Sequence, residues 1–296
     1  MADDGFSAGA APTPRTVFHR PVARGTGNRR RMLAGLMLSA ALLALIYVAG
    51  RALDPMAALT DFSSKSLAPS LAHPFGTDWM GRDMLARTLS GLSTSIFVGL
   101  LAAAASSLIA LALACVSALG GRRADAAVSW LIDLIMGVPH IVLLILISYA
   151  LGKGFWGVTV GVALTHWPSL ARVLRAEILQ LEEEPFIAMS RALGVGRFRV
   201  ALTHMVPYVL PQFLVGLILM FPHAILHEAS ITFLGFGLSP DQPAIGVILS
   251  ESMRYLSAGS WWLAVFPGIA LVATVGLFDR LGTLARRLVD ARTVQE

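Results

Sequence analysis

The chain has 296 residues, of which 56% are hydrophobic and only 14% charged, with a mean hydropathy of +0.71. An ordinary soluble domain carries about 25% charged residues, so the composition excludes that class and asks for lipid as the solvent. The net charge of +5 fits basic anchors beside membrane segments better than a nucleic-acid partner. Cys115 is the single cysteine, which leaves no disulfide framework and no cysteine-based metal site.

Residues 1–31, rich in Gly, Ala, Pro and Arg and without periodicity, read as a cytoplasmic tail ending in Arg29-Arg30-Arg31. Residues 32–50 are free of charge and predict a first transmembrane helix. A secretory signal has a shorter apolar region of about 7–15 residues, so an uncleaved helix is expected in spite of Ala49-Gly50. Residues 51–87 form an external segment. Within residues 88–292, five further charge-free runs cover 88–121, 134–152, 154–171, 200–227 and 255–278, with histidines taken as neutral. Each approaches or exceeds the roughly 20 residues that cross hydrocarbon. The first run is too long for one span, which puts its opening turns at the interface. The second is expected to start near Ala126 and to carry Asp133 near its cytoplasmic end. The sum is an all-α membrane protein with six transmembrane helices.

The basic residues test that count. With the tail inside, the cytoplasmic segments hold six (the tail), two (120–124), five (172–207) and four (from Arg280 onward), which is 17 of the 23 Lys and Arg. Arg51, Lys65, Arg82, Arg87, Lys153 and Arg254 fall outside. The excess of positive charge on one side supports six spans with both termini cytoplasmic.

Two loops are too rich to be simple connectors. The cytoplasmic segment 172–207 holds Glu182-Glu183-Glu184-Pro185, then Phe186, Ile187, Ala188, Met189, Ser190, Arg191, Ala192, Leu193 and Gly194, and ends at Pro207. Carboxylates and Pro185 suit a helix start. Gly194 suits the left-handed residue that ends one. Phe186, Ile187, Met189 and Leu193 form a helical apolar stripe. The prediction is a short helix, a glycine turn and a second helix, or, read blandly, an amphipathic helix resting on lipid headgroups. The external loop 228–254 contains Phe233-Leu234-Gly235-Phe236-Gly237, apolar and glycine-broken, which suits a segment that folds back against protein.

Arg191-Ala192-Leu193-Gly194, with Pro207 13 residues after the glycine, resembles the cytoplasmic signature loop of ABC importer permeases. The Glu-Ala-Ala triplet of that loop is replaced here by Ala188-Met189-Ser190. The likeness extends to Gly76-Thr77-Asp78-Trp79-Met80-Gly81-Arg82-Asp83 with Arg87, Ser90, Gly91 and Ser95. It continues in the Phe-Leu-Gly-Phe-Gly run with Pro240, Pro243 and Gly246, in Pro267-Gly268, and in Leu281-Gly282 with Arg286, Asp290 and Arg292. These are similar to motifs of the dipeptide, oligopeptide and nickel permease subfamily, C-type subunit. The tail departs from that pattern at Thr283, Arg287 and Ala291.

The resemblance implies the type I ABC importer permease fold, with residues 88–292 as the core permease domain in the bacterial inner membrane. It implies a second related permease as heterodimer partner, two ATPase subunits and an extracytoplasmic solute-binding protein. It also assigns Ala188, Met189, Ser190, Arg191, Ala192, Leu193, Gly194 and Pro207 to coupling with the ATPases. No Gly-x-x-x-x-Gly-Lys-Ser/Thr run occurs, so ATP hydrolysis belongs to a partner and neither enzymatic activity nor a cofactor is expected. Peptides, nickel and metal chelates are the implied solutes.

His223 and His227 lie four apart, on one helix face, and Glu228 follows; the three are candidates for the translocation path. Imidazole suits nickel, copper and zinc, and His140 and His166 also fall in expected spans. Depth along the helices nevertheless puts His166 in the inner half and His223 and His227 near the outside, so no common metal site is expected and polar lining is the preferred role. Pro139, Pro168, Pro211, Pro222 and Pro267 are expected to kink their helices. The alternative class, a six-helix secondary transporter or channel, leaves the long basic cytoplasmic loop unexplained and would normally place ionisable coupling residues at mid-membrane, of which this chain offers few.

Overall fold

The computed structural model describes residues 26–289, with side chains from Arg29 onward. Most of the expected tail 1–31, and Asp290, Ala291 and Arg292, lie outside the described residues. Ten α-helices follow in order: α1 (Thr26–Ala57), α2 (Met84–Leu119), α3 (Gly121–Gly137), α4 (His140–Ala150), α5 (Gly154–Glu182), α6 (Pro185–Ala192), α7 (Arg197–Val200), α8 (Val206–Phe233), α9 (Ile245–Ser252) and α10 (Trp262–Val289). A π-helical stretch, Ala201–Met205, joins α7 to α8 without a break.

Among the described residues, four helices are long and apolar enough to cross a membrane, and α3 with α4 supplies a fifth if counted as one bent span. The expected sixth span is α5, which has the length but carries Thr159, Thr165, His166 and Pro168. Its neighbours explain the tolerance. It packs against α2, α3, α4 and α8, so its polar groups meet protein instead of lipid.

The span expected at 134–152 is the largest departure. Two helices replace it, bent by 95°. Pro139 has no N–H to donate and forces the residue before it out of helical geometry. Val138 is accordingly extended, at φ −94° and ψ 136°. The other interior prolines, at 168, 211, 222 and 267, stay inside continuous helices.

α2 begins where Asp83 caps it, its carboxylate accepting from the N–H groups of Leu85 and Ala86 at 2.9 and 3.0 Å. It runs 36 residues, about 54 Å, as one helix including the turns expected at the interface. It forms the spine, against which α1, α5 and α8 pack. At Gly99 the approach of α8 is so close that a Cβ would lie 2.5 Å from Ile225 Cγ1. α1 is peripheral, touching α2 and α10, with Leu38, Leu45 and Val48 exposed on a face suited to lipid.

Two stretches far apart in sequence, both expected outside, make one body. Asp78, fully buried, accepts from Arg82 Nε at 2.6 Å and Arg87 Nη1 at 2.7 Å. Trp79 stacks on Tyr255 at 4.5 Å, and Phe75 on Phe266 at 4.7 Å. α9 buries Ile245 and Ile248 completely or nearly so and packs on α2, α8 and α10.

Candidate translocation cavity and loop surfaces

A cavity of about 850 Å³ lies between the α3–α4 break, α5, α8 and the end of α10. Its wall includes His140, His166, His223, His227, Gln212 and Arg286, with apolar residues between them. Among the described residues, no Asp or Glu belongs to that wall. The break at Pro139 creates the space, because α4 leaves the line of α3 and exposes the ends of both.

The histidines overturn the depth estimate made from sequence. His166 Nε2 lies 3.3 Å from His227 Nδ1. The ring of His140 sits edge-to-face with both, with centroids 4.5 Å away in each case. Depth had been counted to the end of a charge-free run at His227. α8 instead continues through buried Glu228 to Phe233, which sets His227 about 9 Å inside its helix end and level with His166. His223 stands apart as an exposed residue of the cavity wall, and its carbonyl accepts from His227 Nδ1 at 2.8 Å.

Glu228 is separated from the two histidines. It is fully buried, its Oε1 accepts from Thr232 Oγ1 at 2.9 Å, and it does not line the cavity. Thr232 Oγ1 in turn accepts from Leu238 N–H at 3.2 Å, so the carboxylate helps to pin the loop that follows α8. The external loop expected from residue 228 therefore begins at Leu234.

The segment 172–207 is mostly helical. Its first 11 residues belong to α5, and from Arg197 it runs into α8. Pro185 opens α6 and Arg191 binds Glu182 at 2.6 Å. Gly194 follows α6 at φ +84°, the left-handed geometry expected for it. Of the expected apolar stripe only Ile187 is buried; Phe186, Met189 and Leu193 are 47%, 64% and 79% exposed. Ala188, Ser190, Ala192 and Leu193 share this surface helix and its end, whereas Pro207 sits in the first turn of α8. Asp133, in α3, pairs with Arg172 of α5 at 3.2 Å in an exposed position.

A helical bundle with several spans, a broken span at a mainly apolar cavity set with histidines and a compact pair of surface helices on one connection defines a polytopic membrane permease. Residues 95–295 match the family model described as binding-protein-dependent transport system inner membrane component, and the chain belongs to that family. It is 37% identical to a putative peptide permease protein of Brucella suis biovar 1 over 78% of this chain and 77% of the relative. It is 32% identical to a putative peptide transport system permease protein of the same organism, over 91% and 90%. It is 28% identical to the dipeptide transport system permease protein DppC of Bacillus subtilis, over 96% and 89%. The chain is thus a multi-pass inner-membrane permease subunit of an ABC importer. It is not itself the catalytic subunit, and its work implies ATPase and solute-binding partners. This membership removes the alternative of a secondary transporter or channel.

Proposed function

We propose that this chain forms one half of the path by which an ATP-driven importer brings peptides across the inner membrane, with both termini cytoplasmic. The observation that carries the reading is the cavity of about 850 Å³ walled by the α3–α4 break, α5 and α8, which is large enough for a short peptide. Among the described residues neither α1 nor α2 lines it. A second, related permease supplies the facing wall. The three relatives named above for peptide transport support the choice of solute.

Of the two ATPase subunits beneath the permease pair, one docks on α6, Gly194 and α7 of this chain, where Phe186, Met189, Leu193 and Phe198 are exposed and ready to be covered. An apolar surface rimmed by charge is the usual sign of a partner. Ala188, Ser190, Arg191, Ala192 and Pro207 frame it. The external body built on Asp78 and Glu251 receives the solute-binding protein. Alternating access then rocks the bundle around the cavity, with His223 and His227 on the path and Glu228 holding the external loop.

The test is reconstitution of the assembled transporter in proteoliposomes, with ATP hydrolysis measured as binding protein and candidate peptides are added. Peptide-dependent stimulation together with peptide uptake supports the reading. Stimulation by the binding protein with no peptide tested, or by non-peptide solutes alone, rejects the solute assignment.

A further inference from the structure

We propose that His140, His166 and His227 form a three-imidazole site for a divalent transition cation of the zinc, nickel or copper class, with its fourth position open to the cavity. The three rings come from three elements, α4, α5 and α8. Each offers one nitrogen, and the three nitrogens lie within 4.8 Å of one another. Bonds of about 2.0–2.1 Å in a tetrahedral site put ligand nitrogens about 3.4 Å apart. The three rings already stand 4.5, 4.5 and 4.8 Å apart between centroids, and side-chain torsion, above all at His140 as the first residue of its helix, brings the ligand nitrogens to that spacing.

The surroundings prepare the rings as ligands. His166 Nδ1 lies 3.0 Å from the Val162 carbonyl and His227 Nδ1 lies 2.8 Å from the His223 carbonyl. A carbonyl only accepts, so both Nδ1 atoms hold the proton and both Nε2 atoms present lone pairs. Backbone carbonyls bound to the far nitrogen are how metal-ligating histidines are commonly oriented. His140 Nε2 is buried with no hydrogen-bond partner among the described residues. A buried polar atom left in that state is costly, and a cation would satisfy it. Three protein ligands and an open position are the pattern of an exchangeable site, where a structural site is closed. With no carboxylate in the wall among the described residues and Arg286 as its other charged group, balancing charge must arrive with the fourth ligand.

The experiment uses the full chain, purified without a polyhistidine tag and stripped with chelator, and titrates it with Co²⁺ followed by Zn²⁺. The expected result is one saturable Co²⁺ site with the intense visible absorption of tetrahedral coordination, bleached by Zn²⁺. His140→Ala, His166→Ala and His227→Ala should each weaken binding at least about tenfold, the scale on which even outer-shell losses act. His73→Ala and His204→Ala, away from the cavity, should bind as the parent does. Thermal unfolding of every variant checks that the fold survives; should an alanine variant unfold, the corresponding Asn variant replaces it. No saturable binding by the parent, or undiminished binding by folded variants at all three positions, overturns the site. Peptide-stimulated ATP hydrolysis of the assembled transporter is measured alongside. If it persists while metal binding fails, only the metal site falls. If metal binds and peptides do nothing, the peptide reading falls and the site stands.

Discussion

Arg87, in the first turn of α2, donates from Nη2 to Glu251 Oε2 of α9 at 2.8 Å, across 164 residues of chain, while its Nη1 holds Asp78. Arg87 and Asp78 are 8% and 0% exposed in their side chains. This guanidinium therefore joins the segment before α2 to α9, on one carboxylate, Asp78, that water does not reach. A planar fork that bridges two carboxylates in this way is particular to Arg.

Breaking a buried pair by removing one partner costs about 3–5 kcal/mol, and Arg82 remains beside Asp78, so Arg87→Met is expected to cost about 2 kcal/mol. Arg87→Lys should recover only part of that, because one ammonium cannot span both carboxylates. In a double-mutant cycle with Glu251→Gln, the combined loss should be smaller than the sum of the single losses. Thermal unfolding of the detergent-solubilised protein measures all three, and strict additivity would show that the two residues do not support one another.

Pro139 should be needed for transport more than for folding. Pro139→Ala restores an N–H and frees Val138 to become helical, which favours straightening the 95° bend and closing the cavity. Expression and membrane insertion should stay near the parent level while solute uptake falls at least about tenfold, the equivalent of 1.4 kcal/mol. Normal uptake by Pro139→Ala would mean that the break does not shape the path.

Gly194 offers a graded series. Nothing lies within 4 Å of an added Cβ, so the cost of substitution is backbone strain alone. A β-branched residue at φ +84° is a genuine outlier, and strain of this kind costs about 1–3 kcal/mol. Gly194→Val should leave insertion intact and sharply reduce both uptake and recovery of ATPase subunits on a tagged permease. Gly194→Asn should be milder, since Asn visits the left-handed region. Gly196→Ala, at φ −62° with open space around it, should match the parent. Gly99→Ala, which looks like a harmless change within a span, is a poor control because Ile225 stands 2.5 Å from the new Cβ. Full transport by Gly194→Val with ATPases bound would remove this turn from the coupling surface.

The orientation is checked by thiol labelling in a Cys115→Ser background. Leu71→Cys, at a fully exposed external position, should react with an impermeant reagent in intact cells whose outer envelope admits it. Gly196→Cys should react only after lysis. Labelling of position 196 from outside reverses the topology derived from the 17 basic residues on one side.

Charge-free runs were enough to find the long helices, because lipid leaves little freedom in length and polarity, and Pro185 with Gly194 marked the short helix and its turn. Glu228 misled the reading, since a carboxylate after an apolar run reads as an exit from the membrane, whereas its bond to Thr232 lets α8 continue to Phe233. The same shift hid the histidine cluster. Pro139 was legible as a kink, yet a 95° turn depends on what surrounds it, and Pro168 and Pro222 leave their helices continuous. The apolar stripe of α6 was legible as a pattern but not as a surface, because Phe186 and Met189 face outward, uncovered by the rest of the described chain.

The union of α7, the π turn and α8 has a mechanical consequence. From Arg197 to Phe233 the backbone is a single 37-residue rod, about 55 Å long. One end stands three residues from Gly194 and the other carries His227. A continuous helix transmits thrust and torque along its axis without a relay of loose segments, so any displacement of the Arg197 end would reach His223 and His227 as lever travel. The wide turn at 201–205 sets the phase of that lever. One residue deleted there would rotate the far end by about 100° and swing His227 off the cavity with every other side chain still present. The length of this rod is therefore as constrained as its composition.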